Sequence, residues 1–230
     1  MRLRRKAAQA AEEQATAGTD ASADAAEVDE PTGAAGLDEP TDADRSQGPY
    51  DVDELPEDDV ERVDLGALLV VPADDKELRV QVDEKSGSVR AVLLATDEGA
   101  LELRAFAAPR NGDLWSEIRP QIAADAARRG GTATEREGRF GTELVCEVKA
   151  TRADGAVGTQ VSRVIGINGP RWLLRATFLG QPARDPEAAE EWEAAIASVA
   201  VRRGTHAMPV GEQLPLVLPE GARPKAVPAG

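Results

Sequence analysis

The sequence predicts an α+β domain: a mainly antiparallel sheet of six to eight strands packed with two helices, preceded by a disordered acidic N-terminal tail. Three observations carry that reading. Large apolar residues alternate with polar ones through several short runs separated by turn residues, the pattern of strands joined by hairpins. Two other runs repeat their apolar residues every three or four positions, as one-sided helices do: Trp115, Ile118, Ile122 and Ala126, then Ala189, Trp192, Ile196 and Val199. All seven aromatic residues (Tyr50, Phe106, Trp115, Phe140, Trp172, Phe178 and Trp192) lie at or after position 50, so the core begins there.

Charge divides the chain in the same place. Its 230 residues carry a formal net charge of −15, yet residues 11–59 hold one basic residue (Arg45) against 17 acidic ones, whereas residues 60–230 hold 22 against 25. The expected organisation is a tail over 1–49, a single domain over 50–219 and a flexible C-terminus over 220–230. The tail has too few large apolar groups to offset the entropy of ordering it. Ala, Glu and Gln through 5–16 favour a turn or two of helix there. Nothing resembles the clustered Lys and Arg that wrap nucleic acid nonspecifically. No run approaches the ~20 apolar residues of a membrane span. Residues 7–14, after a basic head, lack the apolar centre of a signal peptide. A cytoplasmic protein is expected, with its oligomeric state open.

In chain order, residues 63–71 are dense in β-branched and apolar groups and Pro72 stops them, so they read as one strand. Leu78, Val80 and Val82 alternate with Arg79 and Gln81 as the inward residues of the next. A turn over 83–87 leads to a strand over 89–95. Residues 96–99 read as a hairpin loop in which Gly99 supplies a positive φ. The strand over 100–107 follows, with Leu101, Leu103 and Ala105 on one face. Connections this short exclude crossovers, so this is an antiparallel meander.

Residues 109–112 break the pattern. Asp113 can cap a helix over 113–129 that Arg128, Arg129, Gly130 and Gly131 end. Pro120 falls inside it, and either kinks the helix or marks a start near Arg119. A second meander follows. Residues 132–136 are a weak strand merging into the next. The strand over 142–152 puts Leu144, Cys146, Val148 and Ala150 on one face and Glu143, Glu147 and Lys149 on the other. After a turn at 153–156 comes the strand over 159–167. Asn168-Gly169 reads as the hairpin turn into a strand over 171–178, where Trp172, Leu174, Ala176 and Phe178 share one side. Asp185 is the cap and Pro186 the first residue of the second helix, with Glu187, Glu190 and Glu191 near its positive end. Residues 214–219 are apolar enough to dock as an extended arm.

Chemistry is harder to find. Arg90, Arg104, Arg163, Arg171 and Arg175 fall in predicted strands, and Arg171 and Arg175 share the face opposite Trp172. Were Arg163 or Arg104 beside them, an anion-binding patch would form. Arg163, Arg171 and Arg175 are therefore the candidate ligand-binding residues. The plainer reading is a solvated face paired across strands with Glu143 and Glu147. No catalytic residue, metal ligand or cofactor is assigned. His206 is the one histidine and has no orienting partner nearby in sequence. Cys146 is the one cysteine, mid-strand beside Leu144 and Val148, and reads as a small buried hydrophobe. One His and one Cys exclude the usual zinc site within a single chain. The glycines at 166 and 169 join two strands rather than open a helix, unlike a phosphate loop. The acidic pairs at 58–59, 74–75 and 83–84 lack the spacing of a calcium loop.

Several stretches together resemble a known family over Gly48 to about Pro219: residues 48–51 (GPYD), 63–68 (VDLGAL), 101–109 (LELRAFAAP), 114–119 (LWSEIR), 169–175 (GPRWLLR) and 204–209 (GTHAMP). It is a family of intracellular proteins of high-GC Gram-positive (actinobacterial) bacteria defined only as a domain of unknown function, so the resemblance implies no activity. The order of strands and helices is also similar, on topology alone, to the α/β sandwich of the Mog1/PsbP-like group. Three functions stay open. The first is a non-catalytic interaction or adaptor domain whose partner is another protein; it predicts an extended apolar or charged patch and no polar-lined cavity. The second is a small-ligand or anion-binding domain, nucleotide-related for instance, and needs the three arginines to converge. The third is an enzyme built on carboxylates and arginine alone.

Overall fold

The computed structural model describes residues 48–110, 112–151, 155 and 157–218. The expectations for the acidic tail, for most of the 153–156 turn and for the end of the chain lie outside the described residues. In chain order the strands are β1 (Tyr50–Asp51), β2 (Val63–Asp64), β3 (Leu68–Val70), β4 (Glu77–Val82), β5 (Val89–Ala95) and β6 (Gly99–Ala107). Helix α1 (Leu114–Arg128) follows, then β7 (Thr132–Gly138), β8 (Gly141–Thr151), β9 (Val157–Gly169) and β10 (Trp172–Gly180), then α2 (Pro186–Ala197) and β11 (Ala200–Val201).

The main sheet has seven strands in the order β4-β5-β6-β10-β9-β8-β7, every neighbouring pair antiparallel. It is the two expected meanders joined where β10 pairs with β6, Leu174 opposite Ala105. β10 is therefore the central strand, which explains its nearly unbroken apolar run: both faces are covered. Trp172, Leu174, Ala176 and Phe178 face one side, where Ala189, Trp192 and Ile196 of α2 close the larger core with Leu101 and Leu103. Leu173 faces the other side, where Leu114, Trp115 and Ala126 of α1 close a smaller core with Leu144, Cys146, Val148 and Val164.

A second, four-stranded sheet of very short strands runs β1-β11-β3-β2. β1 lies parallel to β11, Tyr50 opposite Ala200, and so ties the start of the domain to the residues after α2. The stretch at 63–71 is not one strand. It folds back on itself as β2 and β3, Val63 opposite Val70, around Gly66 at φ 84°. A glycine takes that left-handed conformation without the penalty a Cβ brings, and Arg202 holds the turn through the Asp64 carboxylate (2.9 Å) and the Gly66 carbonyl (2.8 Å). Leu214 and Leu216 dock in the larger core as an extended arm, Leu214 N–H donating to the Ala105 carbonyl and Val217 N–H to that of Leu65.

Four local expectations are corrected. Asn168 and Gly169 belong to β9, and the two-residue loop is Pro170-Arg171, because Gly169 lies directly opposite Trp172. Arg171 takes φ 64°, the one positive value at a non-glycine among the described residues. Gly169 is needed for space instead: a Cβ there would come within 2.1 Å of the Trp172 ring. Gly99 likewise has no positive φ; its Cβ would collide with Pro182 and the Leu179 carbonyl. Helix α1 starts at Leu114, ahead of Pro120 rather than near Arg119, since Asp113 caps it (Ser116 N–H to Oδ1, 2.9 Å) and Leu114 and Trp115 are buried, anchoring the turn ahead of the proline. Finally, β7 does not merge into β8. It is a separate edge strand joined to β8 by the Arg139-Phe140 turn, Gly138 opposite Gly141.

The β4–β5 turn yields a pH test. Asp83 accepts from the Ser86 N–H (2.8 Å), the Ser86 hydroxyl (2.9 Å) and Arg90 (3.0 Å). These donors, Ser86 first, hold its carboxyl at about 2, below the ordinary 3.8. A lowered carboxylate stabilises the fold while ionised. Its contribution is complete above the ordinary value and disappears as pH falls through about 2. Asp83→Asn should therefore lower Tm at neutral pH, and the deficit should shrink as a series of melts descends from about pH 4 towards 2.

Candidate binding groove

The structure separates the three candidate arginines. Arg163 lies on the α2 side of the sheet and is 3% exposed. Its Nε donates to Glu143 (2.7 Å) and its Nη2 to Glu193 of α2 (2.5 Å), and its guanidinium lies 5.2 Å from the Phe178 ring centroid. Glu143, 1% exposed, also accepts from Arg136 of the edge strand (2.5 Å). The pairing with Glu143 read from the sequence is present, but the face is not solvated: α2 covers it, and a chain of four charges crosses from β7 to α2. Arg171 sits in the β9–β10 turn, where its carbonyl accepts from Ala108 N–H and from Arg203. Arg175 points to the opposite face of the sheet, directly across from Arg104.

That face holds the candidate site. α1 packs over β7, β8 and β9. Trp115 sets its height: the ring lies on Gly166, where a Cβ would come within 2.1 Å, and Nε1 donates to the Thr142 carbonyl (2.6 Å). Asn168 fixes the helix start by accepting from Trp115 N–H (3.2 Å) and donating to Asp113 (2.7 Å). Burial alone would raise the Asp113 carboxyl, but Ser116 and Asn168 outweigh it and hold it below the usual range. So placed, α1 leaves a groove of about 390 Å³ beside β6 and β10, floored by Phe106, Ile118, Ile122 and Leu173. Its volume lies near the low end of the range for ligand clefts, and it opens broadly onto solvent.

Three charged residues line this groove. Asp125 and Arg128 pair with each other on the rim (2.9 Å). Arg175 has no carboxylate within 4.0 Å among the described residues; its guanidinium stacks 5.2 Å from the Phe106 centroid. Burial first, and Arg104 second, push its pKa down, with Glu102 opposing. Phe106 and Leu173 were missed as site residues, although each left a signal: both are large apolar groups on the side that Glu102, Arg104 and Arg175 mark as polar.

A second groove, about 530 Å³, lies against α2 and is acidic, with Asp75, Asp97, Glu98, Glu187 and Glu191. Its own Lys76 occupies it, 5.1 Å from the Trp192 centroid and paired with Asp75 (2.5 Å) and Glu191 (3.5 Å). Asp83, whose carboxyl is held at about 2, is in an exposed turn that lines neither groove. Burial pushes the Cys146 thiol up, away from the reactive thiolate. Among the described residues no three His, Cys, Asp or Glu side chains gather as metal ligands, and no helix is long and apolar enough to cross a membrane.

A family described as "Protein of unknown function (DUF3710)" matches residues 48–225. The chain belongs to that family. The match begins at Gly48, where the described fold begins, and spans the strands, both helices and the docked arm that build the groove. No curated protein matches the chain. Among solved structures, it is similar to a crystal structure from Bacteroides thetaiotaomicron VPI-5482 at 13% identity and a TM-score of 0.37, over 65% of this chain and 52% of that one. The chain thus spans about half the length of that protein. It is also similar to the solution structure of cyanobacterial PsbP (CyanoP) from Synechocystis sp. PCC 6803, at 11% identity and a TM-score of 0.35, over 64% of this chain and 97% of that one.

Proposed function

We propose that this member of the DUF3710 family is a non-catalytic interaction domain that docks another protein in the groove between α1 and the outer face of β6 and β10, in the cytoplasm of a high-GC Gram-positive bacterium. The observation that supports it is the pairing of an apolar floor with one half-buried cation, Arg175, that has no carboxylate within 4.0 Å among the described residues. A groove of that kind excludes water from apolar contacts and fixes the partner's register with a single charge. The second reading, a small-ligand or anion-binding domain, needed Arg163, Arg171 and Arg175 to converge, and they do not; only Arg175, across from Arg104, lines the groove.

The test is binding by the full chain and by its Ile122→Ser variant, whose change falls on the groove floor. Partners captured by the wild type are purified and titrated against both proteins, with Tm measured alongside. The expected result is one partner whose affinity falls about tenfold in the variant, the loss typical of a floor residue at an interface centre. Equal affinity for both proteins contradicts the reading.

A further inference from the structure

We propose that the groove is built for a partner segment carrying a carboxylate beside large apolar side chains, the apolar groups lying on Phe106, Ile118, Ile122 and Leu173 and the carboxylate meeting Arg175. This deepens the docking reading above and rests on it.

The main sheet holds six arginines within its strands, and five have a carboxylate within 4.0 Å: Arg79 with Glu77, Arg90 with Asp83, Arg104 with Glu102, and Arg136 and Arg163 with Glu143. Arg175 alone has none among the described residues. It is also the one whose side chain lines the groove. The carboxylates nearby pair elsewhere, Asp125 with Arg128 and Glu102 with Arg104, and Glu102 acts on Arg175 only from beyond 4.0 Å. Stacking on Phe106 occupies the face of the guanidinium. It leaves in-plane N–H donors that make no hydrogen bond to any described residue, the fork that grips a carboxylate with two parallel bonds. Burial and the like charge of Arg104 disfavour a lone cation here, so an anion arriving from outside relieves both.

The full-length protein is panned against a library of short random peptides, and the strongest binder is made in two forms, one with its Asp and Glu residues changed to Asn and Gln. On the wild type the amide form should bind at least about tenfold more weakly, the loss expected of a hydrogen bond to a charged group. Arg175→Met should bind both forms alike, and Arg175→Lys should restore part of the preference; both keep an apolar stem of similar length while losing the guanidinium stacked on Phe106. Ile122→Ser should weaken both forms. Equal binding of acid and amide forms to the wild type overturns the carboxylate assignment; if Ile122→Ser still weakens both, docking in the groove survives it. No peptide binder at all overturns both. The aromatic sulfonate 8-anilinonaphthalene-1-sulfonate binding without any peptide binder, and lost in Arg175→Met, replaces the protein partner with a small organic anion.

Discussion

Arg163→Ala should destabilise the domain by about 3–5 kcal/mol, the loss seen when one member of a buried ion pair is removed. The magnitude follows from what stays behind. Glu143 is 1% exposed, and its Oε2 already has no partner among the described residues. Without Arg163 its carboxylate keeps only Arg136, which is 39% exposed at the sheet edge, and Glu193 loses its cation as well. The carboxylate lies over Gly138, where a Cβ would come within 2.6 Å of it. Removing the charges together is a different experiment. Glu143→Leu with Arg163→Met replaces the pair with apolar groups of similar volume, and should fall within about 2 kcal/mol of the wild type. Urea unfolding of the wild type, Glu143→Leu, Arg163→Met and the double variant closes the cycle, and a coupling energy near zero would contradict the account.

Trp172→Ala should be equally severe, about 3–5 kcal/mol, as for other buried tryptophans cut to alanine. Trp172 is fully buried at the start of the central strand, with its ring laid over Gly169. Its Nε1 donates to the Asp51 carboxylate (2.8 Å) and so fastens β1 to the sheet. Trp172→Phe separates the two roles. It keeps an aromatic ring and drops the hydrogen bond to a charged acceptor, for a loss of about 1.5–3 kcal/mol. In that variant amide exchange should quicken at Tyr50 and Asp51 before it changes in β10. Denaturant midpoints ordered wild type, Phe, Ala, with unchanged m, are the expected result.

These residues also show how much the chain reveals unfolded. Period-two and period-3.6 patterns placed β4 to β6, β8 to β10 and both helices, because each buries one face or stripe and therefore writes a repeat into the sequence. Glu143 and Arg163 wrote the repeat of a polar face, and no local signal says that α2 will cover that face with Trp192, Glu193 and Ile196. The β2–β3 hairpin and the parallel β1–β11 pair escaped notice because two- and three-residue strands carry no period at all. Asn168-Gly169 misled for a steric reason: the glycine that a turn wants was required by the ring of Trp172. The groove was half legible. Phe106 and Leu173 stand out as apolar on a polar side, but only the register that puts Arg104 opposite Arg175, and the position of α1 over β7 to β9, turns them into a floor.

The central claim is that partners meet this protein on the outer face, between α1 and β10. A photo-crosslinking residue placed at Ile118 in the full-length protein within living cells tests it directly, with the same residue at Glu191 in the acidic groove as the comparison. One discrete adduct from position 118, absent from position 191 and lost when Ile122→Ser is added, is the result expected. Adducts from position 191 alone would place the interaction on the other face of the sheet and contradict the account.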